Sequence, residues 1–113
     1  MRILFVEDQR VFAETVVGQF LSAHQVEIAE TIAGAHQALA AGGFDAVLVD
    51  YDLSDGKGTE VIRYLRTSRF RGMIVAVSAK DEGNALLRSA GAHAICKKAE
   101  LHRIAATLAA LAR

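Results

Sequence analysis

The chain has 113 residues, 52% hydrophobic and 23% charged, which fits one domain able to bury roughly 65% of its unfolded surface and excludes a disordered chain. Thirteen basic residues balance thirteen acidic ones, so charge advertises neither nucleic acid nor an anionic membrane as a direct partner. A single cysteine, Cys96, excludes an internal disulfide and a cysteine-rich zinc site and fits a reducing compartment. No apolar run approaches the ~20 residues of a bilayer span and no signal peptide is expected, so the predicted location is cytoplasmic.

The first predicted strand is the apolar run Ile3-Leu4-Phe5-Val6, which stops at Glu7-Asp8. Val11, Phe12, Thr15, Val16, Gln19 and Phe20 then recur at helical spacing and predict a helix over 9–22. Residues 26–29 alternate and read as a strand. Thr31 is the expected N-cap of a helix over 32–41, with Ala35, Ala38 and Leu39 inward and Gly42-Gly43 closing it. The run Ala46-Val47-Leu48-Val49 has the composition of a strand buried on both faces, and it ends at Asp50. Asp52, Asp55, Gly56 and Gly58 give the next stretch a loop composition, before Val61, Ile62 and Leu65 mark a third helix resuming at Glu60. Residues 73–77 form another apolar strand, which ends at Ser78. A weak helix over 81–90, opened by Asp81-Glu82 and carrying Leu86 and Leu87, closes at Gly91. A fifth short strand over 92–96 ends in Lys97-Lys98, and Leu101, Ile104, Leu108 and Leu111 form the stripe of a last helix.

Five strands alternating with five helices imply an α/β fold with a parallel sheet covered on both faces and right-handed crossovers. In such a sheet ligands bind at the carboxyl edge. The strand ends deliver Glu7 and Asp8, Asp50, Ser78, and Lys97 or Lys98 to that edge. Three clustered carboxylates repel one another unless a cation or proton neutralises them. A hard divalent ion held by carboxylates and phosphate oxygens answers that need, which points to Mg²⁺. A carboxylate beside such a metal can attack phosphorus and form an aspartyl phosphate. A hydroxyl and an ammonium suit the remaining oxygens of a transferred phosphoryl group.

Over its whole length the sequence resembles the receiver domain of two-component response regulators. The resemblance rests on Glu7-Asp8, on the stretch Asp50-Tyr51-Asp52-Leu53-Ser54-Asp55-Gly56-Lys57-Gly58, on Ser78-Ala79, and on Gly91-Ala92 followed by a lysine. It implies a doubly wound, flavodoxin-like (βα)5 fold of five parallel strands in the order 2-1-3-4-5, with residues 1–113 as a single receiver domain and no output domain. It further implies that Asp50 accepts a phosphoryl group from a phosphohistidine on a sensor histidine kinase or histidine phosphotransfer protein. Asp8 and Asp50 would ligate Mg²⁺ directly, Asp52 through its backbone carbonyl, and Glu7 largely through water. Ser78 would bond the phosphoryl group and move toward it, and Asp52 and Lys80 would tune its hydrolysis. The lysine is expected seven residues after Gly91, at Lys98, with Lys97 the runner-up, because a side-chain period of two keeps both from facing the site.

The chain departs from the family pattern at Ser54 and Ala99, where prolines are common, and at Ile95, where many members carry an aromatic residue. The expected function is a signalling switch, not an enzyme with an external substrate. Its unknown downstream protein target would dock on the face of the fourth helix, fifth strand and fifth helix, near Arg88, His93, Lys97, His102 and Arg103. A phosphorylation-independent interaction module of the same fold is the alternative reading. A small metal-dependent phosphatase or nuclease is a third, and it lacks a separate general base. Cys96 reads as a small buried hydrophobe, and the four histidines show no ligand spacing.

Overall fold

Three strands carry side chains that are buried on both faces, and their alternation sorts the core into two layers. In the computed structural model, which describes residues 1–113, the elements are β1 (Arg2–Val6), α1 (Arg10–Phe20), β2 (Gln25–Ala29), α2 (Ile32–Ala41) and β3 (Ala46–Val49). A short hairpin of β4 (Asp52–Leu53) and β5 (Gly56–Lys57) precedes α3 (Thr59–Thr67), β6 (Met73–Ala76), α4 (Asp81–Ala90) and β7 (Ala94–Ile95). A 3-10 segment, Lys98–Arg103, leads into α5 (Ile104–Leu111). The main sheet has the order β2-β1-β3-β6-β7, all parallel. With the hairpin strands left out, this is the expected 2-1-3-4-5.

On one face Leu4, Val6, Val47, Val49, Ile74 and Ala76 pack against α2, α3 and α4. On the other, Ile3, Phe5, Ala46, Leu48, Val75 and Val77 pack against α1 and α5. Successive residues of one strand therefore serve opposite layers, as the period of two requires. No helix is long and apolar enough to cross a membrane.

Most elements lie where the sequence places them. Thr31 caps α2, its hydroxyl accepting from Gly34 N–H at 2.9 Å, and Val61, Ile62 and Leu65 are the buried face of α3. Leu87 of α4 is buried, whereas Leu86 is exposed. Three differences matter. The expected loop after Asp50 contains the β4–β5 hairpin, with Leu53 buried in the core. Strands of two residues carry no readable periodicity, so tertiary anchoring makes this hairpin. The fifth strand of the sheet is only Ala94–Ile95, because it is an edge strand paired with β6 alone. The last helix is preceded by the 3-10 segment, in which Leu101 is already buried.

The Asp50 loop is held from two directions. The Asp55 carboxylate accepts from Ile32 N–H at 2.8 Å and Ala33 N–H at 3.2 Å, tying the hairpin to the start of α2. Gly58 N–H donates to Tyr51 C=O at 2.7 Å, and a Cβ at position 58 would overlap the Asp50 carbonyl oxygen. Only glycine permits that approach. Gly58→Ala is expected to displace the Asp50 loop and to cost on the order of 2 kcal/mol in urea unfolding.

Candidate functional site

The parallel register of β1 and β3 pairs Val6 with Val49, so the next residues, Glu7 and Asp50, emerge side by side at the carboxyl edge. Asp50 N–H donates to Val6 C=O at 3.0 Å, which fixes this alignment. Glu7 is fully buried, Asp50 is 5% exposed and Asp8 is half-buried. Carboxylate oxygens of the three lie within 4.8 Å of one another.

One cation answers them from within the protein. Lys98 Nζ lies 2.7 Å from Glu7 Oε1 and donates to Asp50 Oδ2 at 3.1 Å. It also stands 5.0 Å from the centroid of the Phe12 ring, on α1. Glu7 Oε2 accepts from Gln9 N–H at 3.0 Å, and Asp50 Oδ1 accepts from Tyr51 N–H at 2.8 Å. Lys97 points away and pairs with Asp81 at 3.0 Å. The two lysines separate because the strand has already ended at Ile95 and the chain turns into the 3-10 segment at Lys98.

Ser78, 3% exposed, lies just past the end of β6. Its hydroxyl accepts from Lys80 N–H at 3.2 Å. The Asp52 carboxylate lies on the rim, where it accepts from Lys57 and lies 3.8 Å from Lys80 Nζ. The Lys57 hydrogen bond and charge hold Asp52 below the ordinary carboxylate range. Asn84 of α4 is a buried polar residue that the sequence reading did not single out. It is 2% exposed and hydrogen-bonded to the backbone of Ser78. A signal was present, since Asn is a poor helix former and residue 84 shares a face with the apolar Leu87, three positions on.

The electrostatics leave the cluster short of positive charge. Burial raises Glu7 above its ordinary carboxylate value despite the Lys98 and Gln9 bonds, and the Asp50 charge adds to the rise. Burial raises Asp50 too, against the pull of Lys98, and Asp8 adds to it. Burial pulls Lys98 down, but Glu7 and Asp50 outweigh it and leave its value raised. Three carboxylates against one ammonium suit a hard divalent cation: Lys98 pairs with Glu7 and Asp50 but not with Asp8.

For Glu7 and Asp50 the folded-state values lie above the unfolded ones, so within that window the folded protein binds more protons. Their contribution to stability therefore falls as pH rises from about 4 through the raised values. In metal-free buffer, Asp50→Asn is expected to raise the unfolding free energy near neutral pH by roughly 1 kcal/mol. It should also remove part of that slope, as read by urea denaturation in EDTA across pH.

Residues 3–109 match the family model described as the response regulator receiver domain. No curated protein sequence matches the chain. Among solved structures, a two-component response regulator from Clostridium difficile superposes with a TM-score of 0.88 at 19% identity, covering 100% of this chain and 96% of that one. A CheY-like response regulator receiver domain protein from Methanospirillum hungatei JF-1 gives 0.80 at 24% identity, covering 96% and 94%. A response regulator from Thermotoga maritima, in complex with Mg(2+)-BeF, gives 0.75 at 23% identity, covering 83% of each chain.

Proposed function

This chain belongs to the response regulator receiver domain family of two-component systems, and we propose that within it Asp50 is the phosphoacceptor of a phosphorelay switch. The observation that carries this reading is the clustering of Glu7, Asp8 and Asp50 within 4.8 Å of one another, with Lys98 bridging Glu7 and Asp50 and Ser78 at the neighbouring strand end. Receiver domains bind Mg²⁺ at an acidic pocket and interact with histidine kinases or phosphotransfer proteins. In this chain Asp8 and Asp50 would hold the ion directly, Asp52 by its backbone carbonyl and Glu7 through water. Bound there, Mg²⁺ supplies positive charge for the oxygens of the incoming phosphoryl group.

The residues then divide the work. A carboxylate oxygen of Asp50 attacks phosphorus, and an oxygen–phosphorus bond forms. The bond from phosphorus to the donor's imidazole nitrogen breaks, and the imidazole leaves with the electron pair. Lys98 neutralises charge on the phosphoryl oxygens, and the Tyr51 N–H holds the Asp50 carboxylate in place. Ser78, which now faces Lys80, turns to donate to a phosphoryl oxygen. The bound state is favoured by the neutralisation of a carboxylate cluster that is costly without it.

The output is a change in binding surface. Arg88, Lys97, His102 and Arg103 are exposed on the face of α4, β7 and α5 proposed for docking. Two of them are held by neighbours, Lys97 by Asp81 and Arg103 by Glu100 at 3.5 Å. His93 is exposed as well, with its Nδ1 accepting from Ile74 N–H at 3.0 Å and its Nε2 3.4 Å from Arg66 of α3.

Intact mass after incubation with Mg²⁺ and acetyl phosphate tests the reading. The expected result is a gain of one phosphoryl group, absent in Asp50→Ala and without metal. No adduct, together with no binding of beryllofluoride, would move the protein to the phosphorylation-independent module. The lysines can be told apart by the same assay. Lys98→Met is expected to slow adduct formation by roughly tenfold or more, whereas Lys97→Met leaves it near wild type.

A further inference from the structure

Asn84 makes to Ser78 the pair of bonds that a neighbouring strand would make. Its Oδ1 accepts from Ser78 N–H at 2.8 Å, and its Nδ2 donates to Ser78 C=O at 2.9 Å. β7 pairs with β6 only at Val75 and Ala76, so past the end of the strand the backbone at 78 takes this two-bond partner from a helix. The same carbonyl accepts from Lys98 N–H at 3.3 Å. Behind Ser78 lies Gly83, where a Cβ would come within 2.8 Å of the Ser78 hydroxyl and 3.0 Å of Tyr51 Cβ.

The attachment of α4 explains why these bonds matter. Its buried residues are Gly83, Asn84 and Leu87. Gly83 offers no side chain and Leu87 makes non-directional contacts, so Asn84 supplies the directional link between this helix and the site. Moving Ser78 alone would strand a buried N–H and a buried carboxamide, whereas moving Ser78 with the first turns of α4 keeps both bonds.

We propose that Asn84 is a positioning residue that joins the Ser78 backbone to α4, so that displacement of Ser78 toward a phosphoryl group at Asp50 is carried into the helix. This rests on the reading of Asp50 as phosphoacceptor. The coupling is mechanical, and Asn84 touches no reacting atom. An aspartate at 84 could still accept from Ser78 N–H but would set an acceptor against Ser78 C=O, and alanine would remove both bonds.

The test is an amide NMR titration of the full chain with Mg²⁺ and beryllofluoride, with ¹⁹F signals reporting the bound group. In the wild type the resonances of Ser78 and of α4 are expected to shift with one midpoint. In Asn84→Ala the bound ¹⁹F signal and the shifts around Asp50 should persist while those along α4 largely vanish, and Asn84→Asp should fall between. A purely structural role would lower stability and leave the ratio of α4 shifts to site shifts unchanged, which would overturn the proposal. A wild-type α4 that stays silent while Ser78 shifts would overturn it as well, whether or not Asn84→Ala folds. No bound ¹⁹F signal in the wild type would instead overturn the phosphoacceptor reading, and the coupling with it.

Discussion

Like charges brought together by strand register are the constraint around which the molecule is arranged. β1 and β3 are adjacent, parallel and aligned at Val6 and Val49, and each gives way to an acid one residue later. Backbone pairing thus forces Glu7 and Asp50 together, and Asp8 joins them. Their side chains leave water for a site in which a single ammonium, that of Lys98, serves two of the three. The apolar layers on either side of the sheet supply the stability that lets such a cluster persist. A site kept short of positive charge is one whose energy changes when a cation or phosphoryl group arrives.

Several features hold that cluster, and they come from different parts of the chain. Asp55 ties the Asp50 loop to α2, and Gly58 N–H ties it back to the Tyr51 carbonyl, so the Asp50 carboxylate sits on a rigid support. Lys98 comes from a 3-10 segment pinned by the buried Leu101. Ser78 is different. It follows the end of β6, its hydroxyl is engaged by the Lys80 N–H, and its backbone is shared between Lys98 and a helix that buries little else. In the proposed switch the acid would stay fixed while the hydroxyl moves. Ile95, half-buried beside the core, stands where the resemblance leads one to expect an aromatic side chain, which gives a backbone route added weight.

What the sequence determined by itself was the set of strand ends. Unbroken apolar runs such as Ala46-Val47-Leu48-Val49 mark interior parallel strands, because only a strand buried on both faces can be apolar at every position. The residue that breaks each run must then lie at the carboxyl edge, which is how Glu7, Asp50 and Ser78 could be read as neighbours. Local rules also sufficed where the interaction is local, as for the Thr31 cap of α2 and the buried face of α3.

Tertiary structure decided whatever depends on partners distant in sequence. The two-residue strands of the hairpin have no period to read and exist because Leu53 finds the core and Asp55 finds α2. Spacing and strand parity single out one lysine, but the observed separation of Lys97 from Lys98 comes from a change of backbone direction after Ile95, not from strand alternation. Asn84 could be noticed as a polar residue on an apolar face, yet its partner, a backbone six residues earlier beyond a strand end, is visible only in the fold. Periodicity records which way a side chain faces, and it carries no information about which donor or acceptor another part of the chain will bring within 3 Å.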